Sequence, residues 1–178
     1  MQIIDTKIQG AVIIEPKVYG DHRGFFLETY RDQQYRDQAK IELPFVQDNH
    51  SRSSRGVLRG LHFQQTKPQG KLVRVVRGEV FDVGVDLRKD SPTFGNWIGV
   101  WLSEDNHRQL WLPPGLAHGF VVTSDSADFE YKCTDYYDPN DEGCLIWNDP
   151  DIGIDWPSES PLLSDKDKAG LSFKAVTA

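Results

Sequence analysis

Arg59 and His62 stand three residues apart in a stretch whose residue types could bind an anion and move a proton. From His50 to Gly78 the chain carries seven basic residues (Arg52, Arg55, Arg59, Lys67, Lys71, Arg74 and Arg77) and no acidic one. The whole chain has 20 Lys and Arg against 27 Asp and Glu, a formal charge of −7. Cations gathered into one stretch of an acidic protein make a local positive field, which suits a small anionic partner. The planar guanidinium of Arg59 matches phosphate oxygens. A histidine such as His62 can move a proton near neutral pH and act as a general base. The same stretch also reads as a charged sheet edge with an incidental histidine.

Positioning such residues takes a scaffold, and the chain is patterned as many short strands. Residues 8–19 read as a strand or hairpin punctuated by Pro16. Gly20 and Gly24 fit a turn, after which Phe26, Glu28 and Tyr30 share one face of an extended segment. Arg23 and Glu28 are then either solvated loop ends or ligand contacts. Residues 31–41 form the one helix candidate, ending before Pro44. Further strands are predicted at 45–50, 71–76, 80–87, 97–102, 109–112, 119–122 and 129–133, and between the first two Val57, Leu58, Leu61 and Phe63 are apolar and β-prone. Within 80–87, Phe81, Val83, Val85 and Leu87 alternate with Asp82, Gly84 and Asp86. Strands of this length, separated by Gly, Pro, Asn and Asp, predict an all-β sandwich or jelly roll. Past Tyr137 the chain turns acidic and Pro-rich, a wrapping tail with a short helix near 162–167. No linker divides residues 1–178, which predicts a single domain.

Composition narrows the function classes. No apolar run approaches the length of a spanning helix, and Met1-Gln2-Ile3-Ile4-Asp5 does not open a signal peptide. An acidic total with a confined basic stretch argues against nucleic acid as a partner. With no secretion signal, Cys133 and Cys144 are expected to be unpaired thiols in a reducing cytoplasm.

Pro113-Pro114-Gly115-Leu116-Ala117-His118 contains Pro-x-Gly-x-x-His, a tight turn feeding a histidine into a strand. The spacing resembles the second motif of the cupin superfamily, whose first motif would supply His-x-His for a metal. Here that stretch is His62-Phe63-Gln64, and a neutral amide is a poor transition-metal ligand. His62 and His118 alone fall short of the usual three protein ligands, so no metal is expected.

A closer resemblance runs over nearly the full length. Asp21-x-Arg23-Gly24-Phe25-Phe26-x-Glu28, Gln47-Asp48-Asn49-His50-Ser51, Gly56 to Gln64, Pro113 to Phe120, Tyr131 to Tyr137 and Leu163-Ser164-x-Lys166-Asp167 occur in the order of one family. The chain resembles the dTDP-4-dehydrorhamnose 3,5-epimerases, and the resemblance implies a cupin-like jelly-roll β-sandwich with a few short helices. It further implies a dTDP-sugar substrate, no cofactor and a homodimer. The implied reaction inverts carbons 3 and 5 of dTDP-4-dehydro-6-deoxy-D-glucose. Both carbons flank a ketone, so loss of either proton gives an enolate that can be reprotonated from the other face.

By the same resemblance His62 is the base, Asp167 its orienting carboxylate and Tyr131 the acid, with Lys71 at the ketone oxygen. Asp165 replaces Asp167 if the tail is shifted by two. Arg59 and Arg23 are implied to meet the diphosphate and nucleotide, and Tyr137 to stack on thymine. Gln47, Asp48, Asn49, Glu28, His118, Glu142 and Lys166 are implied as further ligand contacts. Three rivals share some of these features: an epimerase acting at one carbon, a sugar-nucleotide binding protein without catalysis, and a metal-dependent cupin oxygenase.

Overall fold

The computed structural model describes all 178 residues, as thirteen strands and three short helices. Six strands form one antiparallel sheet in the order β1 (Gln2–Asp5), β2 (Val12–Glu15), β10 (Gln109–Leu112), β7 (Lys71–Arg77), β12 (Ser126–Cys133), β5 (Gln47–Ser54). Five form the facing sheet, β13 (Glu142–Cys144), β6 (Leu58–Gln64), β11 (Leu116–Val122), β8 (Glu79–Asp86), β9 (Trp97–Ser103). Strands β3 (Val18–Asp21) and β4 (Gly24–Leu27) pair only with each other, as a hairpin. Two facing antiparallel sheets are the jelly-roll arrangement expected from the strand pattern.

Side chains alternating along the strands sort the chain into three apolar layers. Between the sheets, Val73, Val75, Leu110 and Phe129 meet Val80, Val100, Leu102 and Phe120. Each such fully buried side chain contributes roughly 1.5–3 kcal/mol. On the outer face of the five-stranded sheet, Leu61, Phe81, Val83 and Val85 are covered by the tail through Ile152, Trp156, Leu163 and Phe173. On the outer face of the six-stranded sheet lies α1 (Asp32–Ala39), whose Tyr35 and Ala39 are one turn apart and pack on Ile14, Leu72 and Trp111. The tail adds α2 (Asp165–Lys168) and α3 (Phe173–Val176).

Two expectations change. The strand read at 45–50 begins at Gln47 and continues to Ser54. The extended segment after Gly24 stops at Leu27, and Tyr30 turns inward against Tyr35 and Phe45. Strand β8 alternates as its sequence does but has no solvent face, because both Asp82 and Asp86 are fully buried with partners.

Candidate active site

A cavity of about 310 Å³ lies between the sheets. From the six-stranded sheet, every second residue of β5 (Gln47, Asn49 and Ser51) lines it, with Lys71 of β7 and Phe129 and Tyr131 of β12. From the other sheet come Arg59, His62 and Gln64 of β6 and His118 of β11, while Tyr137 and Glu142 close one side. Strict alternation would put Arg59 and His62 on opposite faces. A register shift between β6 and β11, at His118 and Phe120, lets both reach the cavity. Gly60 makes this possible: its φ is +121°, and a Cβ there would sit 2.6 Å from the Gly119 Cα.

His62 is held from behind. Its Nε2 lies 2.6 Å from Asp167 Oδ1, which fixes Nε2 as the protonated nitrogen and leaves the Nδ1 lone pair on the opposite edge of the ring. Nδ1 lies 3.8 Å from Glu142 Oε1. Asp167 is buried in the four-residue helix α2, which Ser164 caps by accepting from the Asp167 amide. The Ser164 hydroxyl donates to Asp167 Oδ2 at 2.8 Å. Burial alone would raise the Asp167 pKa, but the bonds from His62 and Ser164 outweigh it and hold the carboxyl below its ordinary value. Asp165 is fully exposed beside Lys168, so Asp167 is the partner of His62.

Lys71 and Tyr131 lie close together, the ammonium 5.9 Å from the ring centroid. Burial pushes the Lys71 pKa down, against the pull of Cys133, Glu142 and Asp82. Burial pushes the Tyr131 phenol up, so it stays protonated. Arg59 uses Nε to donate to Ser53 Oγ at 2.9 Å. Glu142 accepts from Lys166 Nζ and from the Tyr137 hydroxyl. These bonds overcome the effect of burial and lower its pKa. His118 is bonded through Nε2 to Asp82 at 2.9 Å, both buried. Cys133 and Cys144 are free thiols. Burial, then Asp167, pushes the Cys144 pKa up to about 11.

Several expected positions lie elsewhere. Asp48 is on the outer face of β5, exposed and paired with Lys132 at 3.0 Å, because its neighbours Gln47 and Asn49 point inward. Arg23 is paired with Asp21 on the exposed hairpin, and Glu28 with Arg31; neither lines this cavity. The basic stretch does not act as one field. Arg52, Arg55 and Arg74 are bound by Asp128, Asp125 and Glu130, and of the seven cations only Arg59 and Lys71 line the cavity. A second groove, about 350 Å³ on the outer face of the same strands, holds Arg74–Glu130 and Lys132–Asp48 pairs that neutralise each other. Ser164, Ser53 and Asp82 orient site residues without having been singled out; Asp82 sat in plain view in an alternating strand.

The cupin metal set does not fit. Gln64 donates through Nε2 to the Lys67 carbonyl at 2.8 Å and accepts through Oε1 from the Asp138 amide at 2.8 Å, so both ends of the amide are engaged. His118 Nε2 is held by Asp82.

Residues 5–175 match the family model described as dTDP-4-dehydrorhamnose 3,5-epimerase. The chain belongs to the dTDP-4-dehydrorhamnose 3,5-epimerase family. A relative of that name from Pseudomonas aeruginosa is 56% identical over 174 residues, covering 97% of this chain and 96% of the relative. The crystal structure of dTDP-6-deoxy-D-glucose-3,5-epimerase from Legionella pneumophila, in complex with dTDP-4-keto-L-rhamnose, superposes with a TM-score of 0.94 at 55% identity. It covers 97% of this chain and 93% of that one. A 3'-monoepimerase from Streptomyces bikiniensis, in complex with dTDP-quinovose, gives a TM-score of 0.89 at 36% identity, covering 96% of this chain and 87% of that one.

Proposed function

We infer that this chain inverts carbons 3 and 5 of dTDP-4-dehydro-6-deoxy-D-glucose, giving dTDP-4-dehydro-L-rhamnose. The observation that carries the reading is that His62, Lys71, Tyr131 and Arg59, drawn from three strands of two sheets, line one cavity. In this reading His62 Nδ1 removes the proton beside the ketone, while Asp167 stabilises the imidazolium that forms. The Lys71 ammonium faces the oxygen on which enolate charge develops. The Tyr131 hydroxyl returns a proton from the other face, which inverts the centre. Arg59 binds the diphosphate and Tyr137 stacks on thymine; Gln47, Asn49, His118, Glu142 and Lys166 complete the contacts.

The reading extends to a cytoplasmic homodimer that supplies an activated deoxysugar for cell-surface polysaccharide. Arg23 and Glu28 then act on the nucleotide in the cavity of the second copy. The hairpin that carries Arg23 and leads into Glu28 supports this, since it projects Tyr19, Phe25 and Phe26 into solvent at 55%, 62% and 69% exposure. Proton NMR of the keto-sugar nucleotide in deuterium oxide tests the activity. Deuterium should enter both carbon 3 and carbon 5 without added metal or cofactor. Entry at one carbon would replace this reading with a single-centre epimerase, a reading that the fold shared with the monoepimerase also supports.

A further inference from the structure

The His62–Asp167 pair has a third neighbour that epimerisation leaves without a task. Cys144 is the register partner of His62 across the β13–β6 ladder, so the two side chains leave the sheet on the same side. Its Sγ lies 3.9 Å from Asp167 Oδ1. One donor atom from each of His62, Cys144 and Asp167 falls within 4.8 Å of the others. Imidazole nitrogen, thiolate and carboxylate are the donor types of protein zinc sites, and at zinc bond lengths tetrahedral donors stand roughly 3.2–3.8 Å apart. The Cys144–Asp167 spacing, 3.9 Å, has to close slightly. The His62–Asp167 contact, 2.6 Å, has to open by about 0.6 Å or more. Ser164 secures Asp167 Oδ2 and leaves Oδ1 for a metal. A second cleft of about 420 Å³, lined by His62, Ser164, Lys166 and Asp167, borders the pair from the tail side and shares Arg59 and His62 with the substrate cavity.

We propose that His62 Nε2, Cys144 Sγ and Asp167 Oδ1 form an inhibitory site for a thiophilic divalent cation, Zn²⁺ or Cd²⁺, with water as fourth ligand. The donors differ from the cupin set, which Gln64 spoils. Binding forms three metal–protein bonds and releases one proton, from the Cys144 thiol. The proton that bridges Nε2 to Asp167 moves to Nδ1 as the metal takes Nε2. Nδ1 then has no lone pair to accept a substrate proton. The metal therefore silences the base while Arg59 still holds the diphosphate and Lys71 the ketone oxygen. The inhibition, though not the metal binding, rests on reading His62 as the base.

The two parts are separated by measuring binding on the nucleotide-free protein, purified without a histidine tag and stripped with chelator. Titration with Cd²⁺ should give one site per chain and a thiolate-to-cadmium ultraviolet band. Cys144→Ala should lose the band, bind at least tenfold more weakly and turn over normally. Cys133, still present in that variant, controls for non-specific thiol binding. With Zn²⁺ in the assay, wild-type kcat should fall with little change in KM, and Cys144→Ala should need at least tenfold more metal. Cys144→Ser gives the same comparison at nearly the original volume. Equal cadmium binding in wild type and both variants would overturn the site. A cysteine-dependent site with undiminished turnover would overturn the inhibition and the role of His62 with it.

Discussion

Asp167 and His62, 105 residues apart in the chain, meet at 2.6 Å between Oδ1 and Nε2. The contact joins the wrapping tail to a strand of the site, so the tail both covers the apolar outer face of the sheet and holds the His62 ring. The carboxylate is held at both oxygens, by His62 on one and Ser164 on the other. It can therefore fix the tautomer of the imidazole and stabilise its charged form.

Asp167→Asn retains the size and a hydrogen-bond acceptor but removes the charge that favours the imidazolium. Turnover should fall by roughly 10²–10⁴-fold, the range of a lost general-base contribution. Affinity for dTDP, measured by calorimetry, should not change. Wild-type turnover in this variant would remove Asp167 from the mechanism.

Read as the cation at the ketone oxygen, Lys71 should set the alkaline limit of turnover. Burial lowers its pKa below that of an ordinary lysine, whereas burial raises that of Tyr131. Turnover should decline at a pH below that at which an exposed lysine titrates. Lys71→Arg, whose charge persists in this range, should lose that limb even if its plateau is lower. An unchanged alkaline limb in the variant would assign it to another group.

Asp86 ties down the loop between β8 and β9. Burial would raise its pKa, but bonds from Arg88, Ser91 and Thr93 bring it down to about 2. A carboxylate depressed in the folded state adds stability above its unfolded pKa, and that stability is lost as the pH falls through the folded value. Asp86→Asn should therefore cost about 2 kcal/mol at pH 7 in urea unfolding. The gap from wild type should close between about pH 4 and pH 2. A gap that persists at pH 2 would mean that packing, not charge, holds the loop.

How much of this was legible in the chain follows from periodicity. In β12 from Phe129 onward and in β7 up to Val75 the period of two holds, so the shared inward face of Tyr131 and Lys71 could be read from spacing once the strands were recognised. The same rule, applied to Gln47-Asp48-Asn49, would have excluded Asp48, which a motif-based reading kept. Arg59 and His62 defeat the rule, because the register shift beside Gly60 skips one residue and no propensity scale marks it. The Asp167 contact is invisible to local pattern, since loop closure over a hundred residues leaves no trace in spacing. Asp82 was hidden by a correct pattern with a wrong default: alternation predicts a solvent face, and here the second face is covered as well.

The β3–β4 hairpin predicts its own assembly. Phe25→Ser with Phe26→Ser removes the apolar surface that a second copy would bury, and by sedimentation the protein should shift from dimer to monomer. Arg23→Ala should weaken dTDP binding by roughly 1.5–3 kcal/mol, the worth of a charge-assisted bond, although Arg23 lines no part of its own cavity. A wild-type monomer, or unchanged affinity in Arg23→Ala, would confine the site to one chain.

Tyr131→Phe separates proton removal from inversion. The ring packs beside Phe129 and Lys71, and phenylalanine preserves that packing while removing the hydroxyl, so folding and dTDP affinity should survive. His62→Ala should abolish deuterium exchange and turnover together, since no step begins without the base. In Tyr131→Phe the enolate still forms, but a proton can return only from His62, on the face it left. The base exchanges with solvent between the two transfers, so deuterium should enter the sugar with configuration largely retained. Inversion should fall by roughly 10²–10⁴-fold, while exchange falls far less. NMR of the recovered sugar in deuterium oxide reads both at once. Inversion at the wild-type rate would show that Tyr131 is not the acid and would turn attention to Tyr137, whose hydroxyl bonds Glu142 at the side of the same cavity.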